Sequence, residues 1–296
     1  MNTKKLETAK QKSVFYIAAA DVKELYPSLY RDTVTKALEC ALEKHSDYSA
    51  ETREIITELN KICLNNVVTQ YGNQSYIQKN GIITGNNHPV SLANIAVHYI
   101  LELIADVLNE AELFRRFIDD IIWISASEMS NERIGQALTS AFESSGLELT
   151  FRQACTAEKT GDVEFMDVNH CVTIEDDFGF VTKDFLKPTA EGRQFINGNS
   201  HHPQTTFKSS LFGEAIRPRR LNQRKDDYIS SLNGLKEKAI RSKFPLHMSN
   251  DMIALASNWE DRLRPTKCDK KEDPQVLGYI FSPSAYSNTK RKKVEP

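Results

Sequence analysis

The stretch LFRRFIDDIIWISA, residues 113–126, sets two adjacent aspartates, Asp119 and Asp120, between two apolar runs. The β-branched and aromatic residues on either side, Phe117-Ile118 and Ile121-Ile122-Trp123-Ile124, predict two strands. Two residues between such runs predict a tight hairpin with Asp119-Asp120 at its turn. Favoured two-residue turns use Asn-Gly or Asp-Gly, because glycine takes a positive φ at least cost. Asp-Asp instead sets two like charges side by side at a turn that neither charge helps to form.

Composition narrows the classes that need such a pair. The chain has 296 residues, 40% hydrophobic and 26% charged, with 14 Phe and 10 Tyr, enough for one large core or two smaller ones. No apolar run approaches the roughly 20 residues of a membrane span, so no membrane partner is expected. The N-terminal MNTKKLETAKQKS lacks the apolar region of a signal peptide. Five scattered cysteines (Cys40, Cys63, Cys155, Cys171, Cys268), never in a CxxC pair, argue against a disulfide framework or zinc knuckle. The expected location is intracellular, and the basic run Lys290-Arg291-Lys292-Lys293 raises a nuclear destination.

A formal net charge of −2 predicts no polyanionic partner by itself. Between His201 and Arg241, however, nine basic residues face four acidic ones, a local excess of five positive charges. A basic module attached to an acidic one is a common layout for an enzyme that grips nucleic acid; a solvated charged surface is the plainer alternative.

Periodicity supplies the frame. SVFYIAAADVKELY reads as an apolar strand ending in Asp21, and Pro27 biases Tyr26 toward an extended conformation and a boundary. Helical spacing follows from Asp32, a candidate N-cap, and again in AETREIITELNKICLNN. VVTQYGNQSYIQ switches to period two around Gly72-Asn73, a hairpin signal. GIITGNNHP is a loop that opens one long apolar helix, VSLANIAVHYILELIADVL. After the Asp-Asp hairpin come an amphipathic helix and three short strands, LELTFRQA, VEFMDVNHCV and FGFVTKDFLKP. The chain then turns basic and mostly helical near Pro188, with Pro218 expected to interrupt any helix through EAIRPRRL.

If the strand ending at Asp21 neighbours the Asp-Asp hairpin in one antiparallel sheet, three carboxylates come together. They cannot all stay ionised there without a counter-charge. Divalent magnesium supplies one, being a hard cation that takes oxygen ligands and leaves room for phosphate oxygens. Two such ions about 3.5–4 Å apart hold the attacking and leaving oxygens of a phosphoryl displacement.

ADVKELYPS, GIITGNNHPVSLANI and FRRFIDDIIWIS, in that order, resemble the palm motifs of reverse transcriptases. VEFMDVNHCV, KPTAEGRQF and NSHHPQTTFKSSLFGEAIRPRR look like the Penelope-like retroelement branch, which is related to telomerase reverse transcriptases. The resemblance runs from about residue 14 to about residue 245. It implies an α+β fold: a reverse-transcriptase palm, a small antiparallel sheet backed by helices, followed by a mostly helical thumb. The implied division is a palm with residual fingers elements over residues 1–187, a basic helical thumb over 188–264 and a polar tail over 265–296.

Carried over to this chain, the resemblance makes Asp21, Asp119 and Asp120 catalytic metal ligands, with the Val22 carbonyl as a fourth. The implied cofactor is a pair of Mg2+ ions, with Mn2+ as a substitute. Tyr26 falls where a ring beneath the incoming sugar rejects a 2′-hydroxyl, and Gly85 and Asn86 match the loop along the incoming nucleotide. For Asn94 and Ser91, on the following helix, a structural cap is an equal contender. Phe165, Met166 and Asp167 match the region that holds the primer end, and Lys208, Arg217, Arg219 and Arg220 belong to the basic thumb expected on primer and template. The implied partners are an RNA template, a DNA primer or RNA–DNA hybrid, and dNTPs.

Three readings result. The first is an RNA-directed DNA polymerase core. The second is an inactive retroelement-derived fragment that binds nucleic acid without polymerising; it is kept open because only 20 residues precede Asp21, too few for a fingers segment. The third, an RNA-templated RNA polymerase, shares the palm, but Tyr26 argues against it.

Overall fold

The computed structural model describes residues 14–45, 47–83, 88–155, 161–172, 180–185 and 195–256. Among the described residues two compact units are distinguished, the first comprising Ala20–Phe151 and the second residues 152–256 together with 14–19.

A four-stranded sheet has the order β4-β5-β1-β6, formed by Leu113–Phe117, Asp120–Ser125, Tyr16–Lys23 and Glu148–Cys155. Strand β1 is small and apolar where it runs through the middle: Ala18, Ala19, Ala20 and Val22 are all buried. The first unit holds helices α1 (Leu25–Ser28), α2 (Arg31–His45), α3 (Ala50–Asn65), α4 (Pro89–Glu102), α5 (Ala105–Leu108) and α6 (Glu128–Glu143). Helix α6 packs on β5 through Ile134, Leu138 and Phe142, spaced four residues apart and fully buried. Trp123, also fully buried, satisfies its one polar atom by donating Nε1–H to Asn131 Oδ1 on α6 at 2.8 Å.

The hairpin of β2 (Val68–Tyr71) and β3 (Gln74–Ile77) turns at Gly72-Asn73 as expected, with Gly72 at φ 60°. Beyond it, Gly81 (φ 70°) lies so close to α1 that an added Cβ would stand 2.3 Å from the Pro27 carbonyl oxygen. Only glycine fits both constraints. Arg31 secures the same crossing by donating to the carbonyls of Gly81 and Gln78, each at 3.0 Å.

In the second unit, β7 (Asp162–Phe165), β8 (Val168–Val172) and β9 (Phe180–Asp184) form an antiparallel sheet, and β9 packs on helices α7 (Gln204–Leu221) and α8 (Lys225–Arg241). Polar contacts lock them: Thr182 N–H donates to Gln223 Oε1 at 2.7 Å, and Asp184 N–H to Asn222 Oδ1 at 3.2 Å. With α9 (Leu246–Ala256) these helices enclose a separate core of Phe207, Leu211, Ala215, Tyr228, Leu232, Leu235 and Ala239. Phe244 closes it, stacking edge-on to Phe207 at 5.4 Å.

Four local expectations are corrected. Tyr26 lies inside the single turn α1 and is not extended, because Glu24 adopts a left-handed φ of 47° and redirects the chain before Pro27. The expected long helix after the loop splits at Leu103-Ile104, where Ile104 N–H bonds back three residues to Leu101 and tightens the turn. VEFMDVNHCV is not one strand but a hairpin that turns at Met166-Asp167. Helix α7 continues through Pro218, which is buried in its last turn; Asn222 N–H and Nδ2–H both donate to the Pro218 carbonyl and close the helix one turn later.

Candidate active site

The β4–β5 register pairs Phe117 with Asp120, so the two turn residues are Ile118 and Asp119. The expected Asp119-Asp120 turn is thereby displaced by one position, and Asp120 opens β5. Ile118 has φ 54°, the only positive φ of the two, which is the φ pattern of a II′ turn with glycine's usual place taken by isoleucine. A β-branched residue in this region is strained by about 1–3 kcal/mol. The register explains why the strain is borne: Ile121, Ile122 and Trp123 are all buried, and a one-residue slip would exchange the faces on which each is packed.

Strand β1 delivers the third carboxylate. Val22 N–H donates to the Asp119 carbonyl at 3.3 Å, so the end of β1 lies against the hairpin turn. Neighbouring strands stand about 4.8 Å apart, which brings the backbone of Asp21-Val22 alongside that of Asp119-Asp120. Thr150 on β6 holds the other side, donating Oγ1–H to the Asp21 carbonyl at 3.3 Å. Asp21 is exposed, and Asp119 and Asp120 are half-buried. Hence the backbone places Asp21 and Val22 beside Asp119 and Asp120. Their side chains are not drawn around one point: among the described residues, no three His, Cys, Asp or Glu side chains are placed to hold a metal ion. As donors, three carboxylates and a backbone carbonyl are all hard oxygens, a set that fits magnesium.

One participant escaped the sequence reading. Arg116, on β4, points its guanidinium under the turn, donating from Nη1 to the Ile118 carbonyl at 2.8 Å and to Asn94 Oδ1 at 3.1 Å. Burial pushes it down to about 10, and the neighbouring Asp119 carboxylate opposes that shift, so Arg116 remains cationic at neutral pH. The available signal was an arginine inside an apolar strand three residues before an aspartate. Asn94 is buried in the middle of α4, which removes the cap role left open for it.

Tyr26 is half-buried on α1, and its carbonyl accepts from Ile82 N–H at 2.7 Å, tying α1 to the start of the following loop. Gly85 and Asn86, expected farther along that loop, lie outside the described residues.

In the second unit, Phe165 is half-buried, and Met166 and Asp167 are exposed at the tip of the β7–β8 hairpin. Met166 repeats the pattern of Ile118, with φ 57° at the first turn position. Arg217 reaches this turn from α7, pairing with Asp167 Oδ2 at 3.3 Å and donating to the Phe185 carbonyl at 3.3 Å. Arg217 therefore holds the hairpin to the helix. Arg219 is half-buried, and its Nε is enclosed with no hydrogen-bond partner among the described residues. Lys208 and Arg220 are the exposed members of the expected basic set. A cleft of 440 Å³ in this unit is lined by Arg217, Lys238 and Arg241 together with Asp184 and Glu214.

No protein-family model matches the sequence, and neither does any curated protein. Solved structures do. Telomerase from Candida albicans, determined with a TWJ fragment of telomeric RNA, aligns over 86% of this chain and 47% of its own, with a TM-score of 0.57 at 14% identity. Apo telomerase from Candida tropicalis aligns over 86% and 43%, with a TM-score of 0.54 at 15% identity. The fold is a polymerase palm and thumb. The RNA-dependent RNA polymerase of a human picorbirnavirus shares it, with a TM-score of 0.53 at 12% identity over 84% of this chain and 47% of that one. The chain spans less than half the length of each of these polymerases. Among the described residues no helix of the palm or thumb is long and apolar enough to cross a membrane.

Proposed function

We propose that this chain is the palm and thumb of an RNA-directed DNA polymerase of the Penelope-like kind, adding deoxynucleotides from dNTPs to a primer on an RNA template. The observation that carries the reading is the Val22–Asp119 backbone bond, which aligns the end of β1 with the aspartate hairpin. Asp21, Asp119, Asp120 and the Val22 carbonyl would hold Mg2+, or Mn2+ in its place. When bound, the ions supply the charge that activates the primer hydroxyl and steadies the leaving pyrophosphate.

The chain's own residues do the rest. Hairpin β4–β5 and strand β1 fix the carboxylates on a rigid sheet, and Tyr26 on α1 would stand beneath the sugar and exclude the 2′-hydroxyl. Phe165 and Asp167 would hold the primer end, while Lys208 and Arg220 would meet phosphates of the hybrid. Likeness to both telomerases and a viral RNA polymerase leaves sugar choice to Tyr26 in this reading. A second reading is a retroelement-derived fragment that binds nucleic acid without polymerising.

The deciding experiment supplies labelled dNTPs or NTPs to the protein on a primed RNA template. Extension with dNTPs, lost in Asp119→Asn, supports the first reading. Hybrid binding without extension establishes the second, and extension with NTPs alone overturns both.

A further inference from the structure

Arg116 connects three features that are otherwise separate. The first is a strained residue, Ile118 at φ 54°, whose own carbonyl accepts from Arg116 Nη1 at 2.8 Å. The second is helix α4, reached through Asn94, whose side-chain Oδ1 accepts at 3.1 Å and whose carbonyl lies 3.5 Å from Nη2. The third is Asp119, whose charge acts favourably on the guanidinium. A planar fork with fixed donor directions suits this task, since it can hold two elements at a set angle; an ammonium on a flexible stem cannot. Retaining a half-buried cation under a turn costs desolvation, and its donors go to the residue whose backbone is strained.

The structure assigns Arg116 as a positioning residue that locks Ile118 in its left-handed conformation against α4 and so sets the attitude of the Asp119 and Asp120 carboxylates. The proposal rests on the polymerase reading for its catalytic consequence, though not for its conformational one. A merely structural arginine would stabilise the palm as a whole, and its loss would be indifferent to what residue occupies position 118. A lock on Ile118 predicts coupling, because glycine takes a positive φ without being held.

The test is a double-mutant cycle over Arg116→Lys and Ile118→Gly, read by thermal melting and by primer extension. Lysine keeps the charge and loses the fork. Arg116→Lys is expected to lower the melting temperature and to reduce kcat for extension about 100-fold, the loss that misplacement by about 1 Å can cause, with KM for dNTP within about threefold of the parent. Adding Ile118→Gly to that variant is expected to recover at least tenfold in kcat and part of the lost melting temperature. Strictly additive melting temperatures, or a raised KM with unchanged kcat, overturn the assignment. If the parent itself extends no primer, the polymerase reading fails, and the melting cycle still decides the lock. Should Arg116→Lys not fold, Arg116→Gln enters the same cycle, and folding restored by Ile118→Gly counts for the lock.

Discussion

Val22 and Asp119 are joined by a backbone hydrogen bond of 3.3 Å, from the end of one central strand to the turn of a hairpin nearly a hundred residues later. That bond brings Asp21 beside Asp119 and Asp120, a pairing that neither local sequence nor local structure encodes. Removing one carboxylate charge should therefore abolish chemistry without harming the fold. Asp21→Asn, Asp119→Asn and Asp120→Asn are each expected to eliminate primer extension. In metal-free buffer Asp21→Asn and Asp120→Asn should melt at or above the parent's temperature, because repulsion among like charges is relieved, whereas Asp119→Asn also removes the charge that faces Arg116 and should melt lower than the other two. Extension at parental rate by Asp119→Asn would remove that residue from the site.

Tyr26 sits in α1, just after the strand that carries Asp21 and Val22. Tyr26→Ala is expected to retain dNTP incorporation while raising incorporation of ribonucleotides at least tenfold. Competition between labelled dNTP and rNTP measures the ratio. An unchanged ratio would make the ring ordinary packing.

The thumb arginines divide by what they touch. Each phosphate neutralised on a B-form duplex contributes a slope of about −0.9 to the salt dependence of binding. Lys208 and Arg220 are exposed, so the pair Lys208→Ala and Arg220→Ala should weaken hybrid binding uniformly across sequences and flatten the salt slope by up to about two contacts. Arg217 is engaged with Asp167 and Phe185, so Arg217→Ala should lower thermal stability by about 1–3 kcal/mol through unpairing these groups. Affinity titrations at several salt concentrations, with melts of each variant, check both halves.

His170, on β8, carries a pKa lowered by burial, and its cross-strand partners Val163 and Thr182 offer no compensating charge. Because the folded value lies below the ordinary 6.5, the unfolded chain takes up the proton first as pH falls. Stability from this group is complete above about pH 6.5 and declines below it. His170→Gln should flatten the stability profile between pH 7 and 5.5. A parental profile with no decline in that window would refute the effect.

Much of the palm was legible because its signals are short-range. Alternating apolar residues around Gly72-Asn73 predicted their hairpin, and apolar residues spaced four apart predicted α6. The pair Asp119-Asp120 and the strand ending at Asp21 were readable as candidates for the same reason. Proline was read too literally in two places, since Pro27 and Pro218 both lie within helices held by contacts from elsewhere.

By itself the sequence determined the order of strands and helices, the presence of the three aspartates and the location of the basic segment, all of which follow from residue type and spacing along the chain. Only the tertiary structure decided which residue takes the strained turn position, since burial of Ile121 and Trp123 sets the register and forces Ile118 to φ 54°. It alone revealed that Arg116 and Asn94 brace that turn, and that Arg217 is committed to Asp167. The Arg116–Asn94 and Arg217–Asp167 pairings join residues 22 and 50 positions apart, and no local propensity encodes them. Burial and hydrogen-bond satisfaction are properties of the packed chain, so these choices were settled only when its elements met.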